Sequence, residues 1–453
     1  MGRICFFPIV RYQAELFCSI AEYLIKQGVF DEAIFVCPSI SSWHYIKKKK
    51  IYKCIFIPEI INSDVGRCKH SIMSVINDET IKNIVQYELR KIEIEHTWRV
   101  RNKEMPEKNI NLEASIYYRY WEEFLIEHQV DVIISWNGYL LPQLALAKAA
   151  KDHYTPIPIL FCENGYENGT FVLDSQGVNS KSGFTSLSSD YLQGKSRALV
   201  EHNRERKIMQ NKISLYFLLR IKLYFNSRSH KQYKDIIRYE FSQSIYRKIM
   251  NQFDVLTTSR KLPDRFIFFP LQVITDSQLL DNYNGSQESA ISDLIKIVEH
   301  LNRDQDESIY LLIKDHPRQE TRGYFQKLKK RYSSPYVRFI RSGNTSSLIQ
   351  NAIAVVTINS SIGYQALQYR KNVFVLGHSI FTGKGLGQVV NNMEHLELLL
   401  TKAFEGHLFT KEKSLMQFND KYLRYCSSLK LTDNTKGYLK KVITDTITGG
   451  HKI

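Results

Sequence analysis

The sequence predicts an α/β protein of two domains, each a parallel sheet layered with helices, the first of them Rossmann-like. Three observations predict it. Short apolar, strand-like runs alternate with segments whose apolar residues recur at helical spacing. At 453 residues the chain exceeds what one hydrophobic core supports. Several strand-like runs also break into polar residues at their carboxyl ends, where open parallel sheets bind ligands.

The elements follow in order. Ile4 to Val10 reads as a buried first strand, and Tyr12 to Gln27 as a helix with Leu16, Ile20, Tyr23 and Leu24 on one face and Gly28 as its stop. Glu32 to Cys37 and Lys53 to Ile57 read as the next strands, and residues 80 to 130 as charged helix. Val130 to Ser135 is a strand ending in W-N-G, Leu141 to Ala150 a small-residue helix, and Ile157 to Cys162 a strand ending in E-N-G-Y. A Ser-, Gly- and Asn-rich stretch from about 164 to 195 reads as a loop and contains L-D-S-Q-G-V-N. Residues 200–250 interleave lysine and arginine with apolar residues and read as basic helices linking the halves, so the first domain is assigned to 1–250. Strands are expected at Phe266 to Phe269, Ile309 to Lys314, Val337 to Ile340, Ala354 to Ile358 and Val373 to Leu376, with helices at Ala290 to Asn302 and Gly363 to Tyr369. These define a second domain, 251–395. Residues 396–453 read as helical and as crossing back to the first domain.

Composition narrows the function classes. A hydrophobic fraction of 43% excludes a disordered chain. Lysine and arginine outnumber aspartate and glutamate by 62 to 46, a net charge of +16, which suits an acidic partner: nucleic acid, an anionic membrane face or a phosphorylated substrate. No recognisable nucleic-acid-binding module accompanies that charge, so no nucleic-acid partner is expected. The basic 201–250 segment is instead expected to touch an anionic membrane, with a solvated helix face as the other reading. Seven cysteines without C-x-x-C spacing fit a reducing compartment. Pro8 breaks an amino-terminal apolar run already too short for a signal peptide, and no apolar run is long enough to span a bilayer. A cytoplasmic protein peripheral to a membrane is expected. The sequence shows no H-E-x-x-H and no cysteine cluster, so no metal and no cofactor are expected.

Four short motifs carry the chemistry, and each has two readings. K-D-H-P puts Lys314 and His316 at a strand end, where a cation and an imidazole suit a phosphate-bearing leaving group or simply end a strand in solvent. In T-I-N-S-S-I-G-Y-Q-A-L, Asn359, Ser360 and Ser361 lead into a helix, as an anion site or as plain caps. P-L-Q-V-I-T-D-S-Q places Asp276 past a strand end with Gln272 and Gln278 near it, as nucleophile or base, or as an Asx turn. E-N-G-Y puts Glu163 at a strand end, as an acid/base partner or as a turn residue. Asn137 of W-N-G, with Asp174 and Asn179 of D-S-Q-G-V-N, stands as a candidate acceptor or cleft residue. G-K-G-L-G, Gly383 to Gly387, lacks Walker spacing and reads as a mobile loop.

Taken together and in this order, W-N-G, E-N-G-Y with D-S-Q-G-V-N, P-L-Q-x-x-x-D-S-Q, K-D-H-P, and S-S-I-G-Y-Q-A-L with V-F-V-L-G resemble the bacterial capsule polysaccharide synthesis family, specifically its retaining β-Kdo transferases. The resemblance covers roughly Val130 to Gly377. It implies a GT-B architecture of two Rossmann-like domains with an interdomain cleft, CMP-Kdo as donor, and a glycolipid or oligosaccharide acceptor at the cytoplasmic face of the inner membrane. It also implies Asp276 as nucleophile, Glu163 as acid/base, and Lys314 and His316 on the CMP phosphate beside Ser360 and Ser361. One departure is that Glu167 and Asn168 follow the E-x-G-Y element where many relatives carry Arg or Leu-Pro, which leaves the acceptor open. Rival readings are a CMP-sialic acid transferase, a CDP-polyol phosphotransferase, and a non-catalytic component of a capsule export complex.

Overall fold

The structure is a computed structural model that describes residues 2–64, 78–98, 108–185 and 262–448, apart from 304–306, 318, 320–322, 342 and 384. The basic segment 201–250, Cys68 and the second half of the 164–195 stretch lie outside the described residues. Those described fall into two compact units: one takes in the residues up to Leu89, 108–185 and those from Lys421 on, and the other 90–98 and 262 to Asp420. Both are α/β, as the alternation of strand and helix signals predicts.

The first unit runs β1 (Gly2–Phe7), α1 (Arg11–Lys26), β2 (Phe30–Cys37), α2 (Ile40–Lys49), β3 (Lys53–Phe56), α3 (Ile57–Asp64), α4 (Asp78–Trp98), α5 (Lys108–His128), β4 (Val130–Trp136), α6 (Leu141–Asp152), β5 (Ile159–Asn164) and β6 (Thr170–Asp174). α4 continues past Leu89 into residues of the other unit. β1 is shorter than its apolar run because Pro8 carries no N–H for the ladder. α1 buries Leu16, Phe17, Ile20 and Leu24, and Phe17 meets Phe6 at 5.2 Å between ring centroids. Each such side chain contributes about 1.5–3 kcal/mol by leaving water. The stretch from 164 is not a plain loop. β5 carries on through Asn164 and turns into β6, which pairs with it antiparallel, Glu163 opposite Val172. T-F-V-L-D is β-prone and fully buried, but it is short and set among Gly, Asn and Ser, which hid it. Gly165 in that hairpin is required by close packing: a Cβ there would lie 2.1 Å from Thr170 Oγ1.

The second unit runs β7 (Phe266–Pro270), α7 (Ser277–Asn282), α8 (Gln287–Leu301), β8 (Tyr310–Lys314), α9 (Tyr324–Arg331), β9 (Val337–Ile340), α10 (Thr345–Asn351), β10 (Ala354–Thr357), α11 (Ser361–Gln368), β11 (Asn372–Val375), β12 (Gln388–Val389) and α12 (Met393–Phe404). Its six-stranded sheet is parallel throughout, in the order β12-β11-β10-β7-β8-β9. Both faces are covered, so its strands read as continuous Val, Ile, Leu and Phe. The G-K-G-L-G stretch closes on itself, with the Gly383 N–H donating to the Gly387 carbonyl at 2.8 Å.

α13 (Glu412–Tyr425) leads back to the first unit, which β13 (Ser427–Ser428) and α14 (Asp433–Ile447) complete. β13 pairs antiparallel with β6, so the first sheet is mixed, β13-β6-β5-β4-β1-β2-β3, around a parallel centre. Both sheets reverse strand order beside their first strand, which is the Rossmann arrangement.

Candidate functional site

In the second unit the strand order turns between β7 and β10. Open parallel sheets bind ligands at such a reversal, in the crevice beyond the carboxyl ends of the strands. Three of the four sequence motifs lie at the carboxyl ends of β7, β10 and the neighbouring β8. Gln272, from the loop after β7, is 5% exposed and clasps Asn359, from the loop after β10. Its Nε2 donates to Asn359 Oδ1 at 2.8 Å, and its Oε1 accepts from the Asn359 N–H at 3.2 Å. Asn359 Nδ2 then donates to the Gln278 carbonyl at 2.8 Å, which ties in the start of α7. Gln287, buried at the start of α8, holds the Gln272 backbone from behind: its Oε1 accepts from the Gln272 N–H at 2.6 Å and its Nε2 donates to the carbonyl at 2.9 Å. Gln287 escaped the sequence reading because one glutamine in an amphipathic helix carries no signal. The clasp shapes the crevice floor, and Gln272→Leu would strand the Asn359 N–H and Oδ1 in the interior. That substitution is expected to cost about 2–4 kcal/mol in urea unfolding.

Asp276 caps α7, its Oδ1 accepting from the Gln278 N–H at 2.9 Å. Burial pushes its carboxyl above the usual carboxylate range, and the backbone bond only partly offsets this. Gln278 Nε2 is buried with no hydrogen-bond partner among the described residues, while its Oε1 accepts from Asn282 Nδ2 at 3.1 Å. Gly377, the glycine of V-F-V-L-G, lies so close that a Cβ would meet the Asn282 carbonyl at 2.6 Å.

Lys314 ends β8, next to β7, and is 8% exposed. Among the described residues no acceptor is within hydrogen-bonding distance of its Nζ. The adjacent Asp315 is engaged elsewhere, with Arg341 Nε 3.4 Å from its Oδ2. Burial lowers the Lys314 pKa from its ordinary value, and the Asp315 charge works the other way. The unfolded chain therefore holds this proton more tightly than the folded one. Stability from this group rises with pH between the lowered folded value and the ordinary 10.5. Lys314→Met is accordingly expected to be at least as stable as the wild type at neutral pH, an advantage that shrinks towards about pH 10 in urea titrations.

His316 is half-buried in the turn that follows, its carbonyl accepting from the Gln319 N–H at 2.9 Å. Ser360 caps α11, with Oγ accepting from the Ile362 N–H at 3.3 Å, and Ser361 is exposed as the first helical residue. Capping leaves the helix N-terminus its positive end, so the cap does not exclude an anion there.

The first unit has a similar reversal between β1 and β4. Glu163 and Asn164 end β5, and the Asn164 N–H donates to Glu163 Oε1 at 2.8 Å. Tyr12, on α1, accepts from Asn164 Nδ2 at 3.1 Å and packs edge-on against Trp136. Asn137 sits in the left-handed region, φ 48°, its Oδ1 accepting from the Tyr139 N–H. Asn179 is likewise left-handed, φ 57°, and opens a 3-10 turn. Asp174 is 0% exposed, and both its oxygens are occupied internally. Oδ1 accepts from the N–H groups of Gln176 and Gly177, and Oδ2 from the Gly183 N–H and the Tyr425 hydroxyl. A carboxylate so used holds its loop to α13 and has no oxygen left for a cleft. Among the described residues no group of three His, Cys, Asp or Glu stands together as a metal site, and no helix is long and apolar enough to cross a membrane.

The sequence model of the family described as "Capsule polysaccharide biosynthesis protein" matches residues 131–419. Protein FixF of Sinorhizobium fredii is 26% identical over 64% of this chain and 59% of its own length. The capsule polysaccharide export protein KpsS of Escherichia coli is 30% identical over 33% of this chain and 41% of its own. The chain spans about half the length of these curated relatives. Among solved structures, Thermosulfurimonas dismutans KpsC, a beta Kdo 2,7 transferase, aligns at 13% identity over 79% of this chain and 96% of that one, with a TM-score of 0.35.

Proposed function

Given that the chain belongs to the capsule polysaccharide biosynthesis protein family, we propose that it is a retaining glycosyltransferase that moves Kdo from CMP-Kdo to a glycolipid or glycan acceptor. The observation that carries this reading is Lys314: a lysine 8% exposed, with no bonded acceptor among the described residues, at the end of β8 beside the first strand of a Rossmann-type reversal. Taking such a cation largely out of water costs stability unless an anion meets it. A sugar nucleotide's phosphate is the anion this kind of crevice takes.

In the proposed chemistry Lys314 and His316 hold the CMP phosphate, with the α11 N-terminus and Ser360–Ser361 beside it. Negative charge builds on the phosphate as CMP departs, and these fixed donors stabilise it without a metal. Asp276 attacks the anomeric carbon of Kdo as the bond to the CMP oxygen breaks, which leaves a glycosyl ester. Glu163 serves as acid and base, taking the proton of the acceptor hydroxyl that displaces Asp276. Two inversions give net retention.

A second reading is favoured by one observation: Asp276 already works as a helix cap and its carboxyl is pushed towards the neutral form. In it the enzyme inverts a CMP-activated ulosonic acid, Glu163 is the base and Asp276 only caps. The anomeric configuration of the product decides between them.

The test is nucleotide selectivity. CMP is expected to raise the melting temperature, by about 2.7 kcal/mol of stabilisation at a hundred times its dissociation constant, with UDP and GDP giving little. CMP-Kdo should release CMP faster than CMP-sialic acid does, and CDP-glycerol should be inert. Indifference to every cytidine nucleotide would remove the transferase reading.

A further inference from the structure

The first unit carries a surface feature that sugar transfer does not use. α2 and the turn after it read I-S-S-W-H-Y-I-K-K-K-K-I-Y-K, Ile40 to Lys53. Lys47, Lys48, Lys49 and Lys50 are all exposed, and Lys50 is left-handed, φ 59°, so the chain turns sharply out of the helix. Ile51 follows at 67% exposed, beyond any other aliphatic side chain among the described residues. Lys47 Nζ lies 4.5 Å from the centroid of the half-buried Trp43 ring. Among the described residues only Lys49 of the four lysines has a carboxylate partner, Glu22 at 3.2 Å.

A helix C-terminus favours cations, which accounts for one or two of these lysines. It does not account for an isoleucine held out in water directly after them. An exposed apolar side chain next to a run of exposed lysines complements a bilayer interface, where the cations meet headgroup phosphates and the apolar group enters the acyl boundary. We propose that Lys47, Lys48, Lys50 and Ile51 form a docking patch for an anionic lipid bilayer. The patch is separate from the 201–250 segment and stands whether or not the chain transfers Kdo.

The test uses the full chain with phosphatidylglycerol/phosphatidylcholine vesicles. Sedimentation should show partitioning that falls with salt and is absent on pure phosphatidylcholine. The variant K47Q/K48Q/K50Q/I51S, changed only at exposed positions, should lose partitioning by on the order of a hundredfold. Hydrogen exchange should slow across residues 40–53 when vesicles are added. Partitioning of the variant equal to wild type overturns the proposal, as does protection confined to other segments. Equal protection of residues 40–53 by soluble polyphosphate without vesicles would also overturn it, since the patch would then be reading charge alone.

Discussion

Asp276→Asn is expected to lose sugar transfer by on the order of a thousandfold or more while binding CMP as the wild type does. Asparagine keeps the acceptor that caps α7, so the Gln278 N–H stays satisfied and the helix stays in place. What goes is the charge and nucleophilicity of the carboxylate. The substitution therefore separates chemistry from capping, which Asp276→Ala would confuse. A pH dependence accompanies it. Because burial raises the Asp276 pKa, the fold favours the protonated form, and stability from this group falls as pH rises from the unfolded carboxylate value through the folded one. Asp276→Asn should thus be no less stable than wild type at neutral pH. The acid limb of wild-type turnover should lie above the range of a free aspartate, about 3.9. Unchanged turnover in Asp276→Asn would assign the residue to capping alone and favour the inverting reading.

The second large effect is on folding. Asp174→Ala is expected to destabilise the first unit by about 3–5 kcal/mol, because three backbone N–H groups and the Tyr425 hydroxyl lose a shared buried acceptor. For a unit of this size that corresponds to roughly 10 °C in the melting of its own calorimetric transition. Tyr425→Phe removes one donor and should cost less, about 1.5–3 kcal/mol. A graded order, Asp174→Ala worse than Tyr425→Phe, marks the carboxylate as the hub of its loop. A wild-type melt for Asp174→Ala would contradict that.

The contrast between Asp276 and Asp174 shows how far the sequence can be read. Each is an aspartate followed by Ser and Gln, and each accepts from backbone N–H groups just beyond it. Local chemistry does not separate a crevice carboxylate from a structural one, since the difference lies in Tyr425 and Gly183, which the fold brings in from elsewhere. The parallel strands of the second unit were legible because burial on both faces forces unbroken apolar runs. β6 and the two-residue β13 were not: β6 is short and set among turn-forming residues, and β13 pairs with it from some 250 residues away. The crevice was legible as strand-end motifs, yet the clasp that shapes it was not. Gln272, Asn359 and Gln287 come from three separate elements, and amide hydrogen bonding leaves no periodic trace.

The most direct test of the proposed site is a crystal structure of the chain with CMP bound. The proposal predicts the CMP phosphate in the crevice at the carboxyl ends of β7 and β10, within hydrogen-bonding distance of Lys314 Nζ, with the α11 N-terminus facing it. CMP bound at another place, with no phosphate oxygen near Lys314 Nζ, would contradict it.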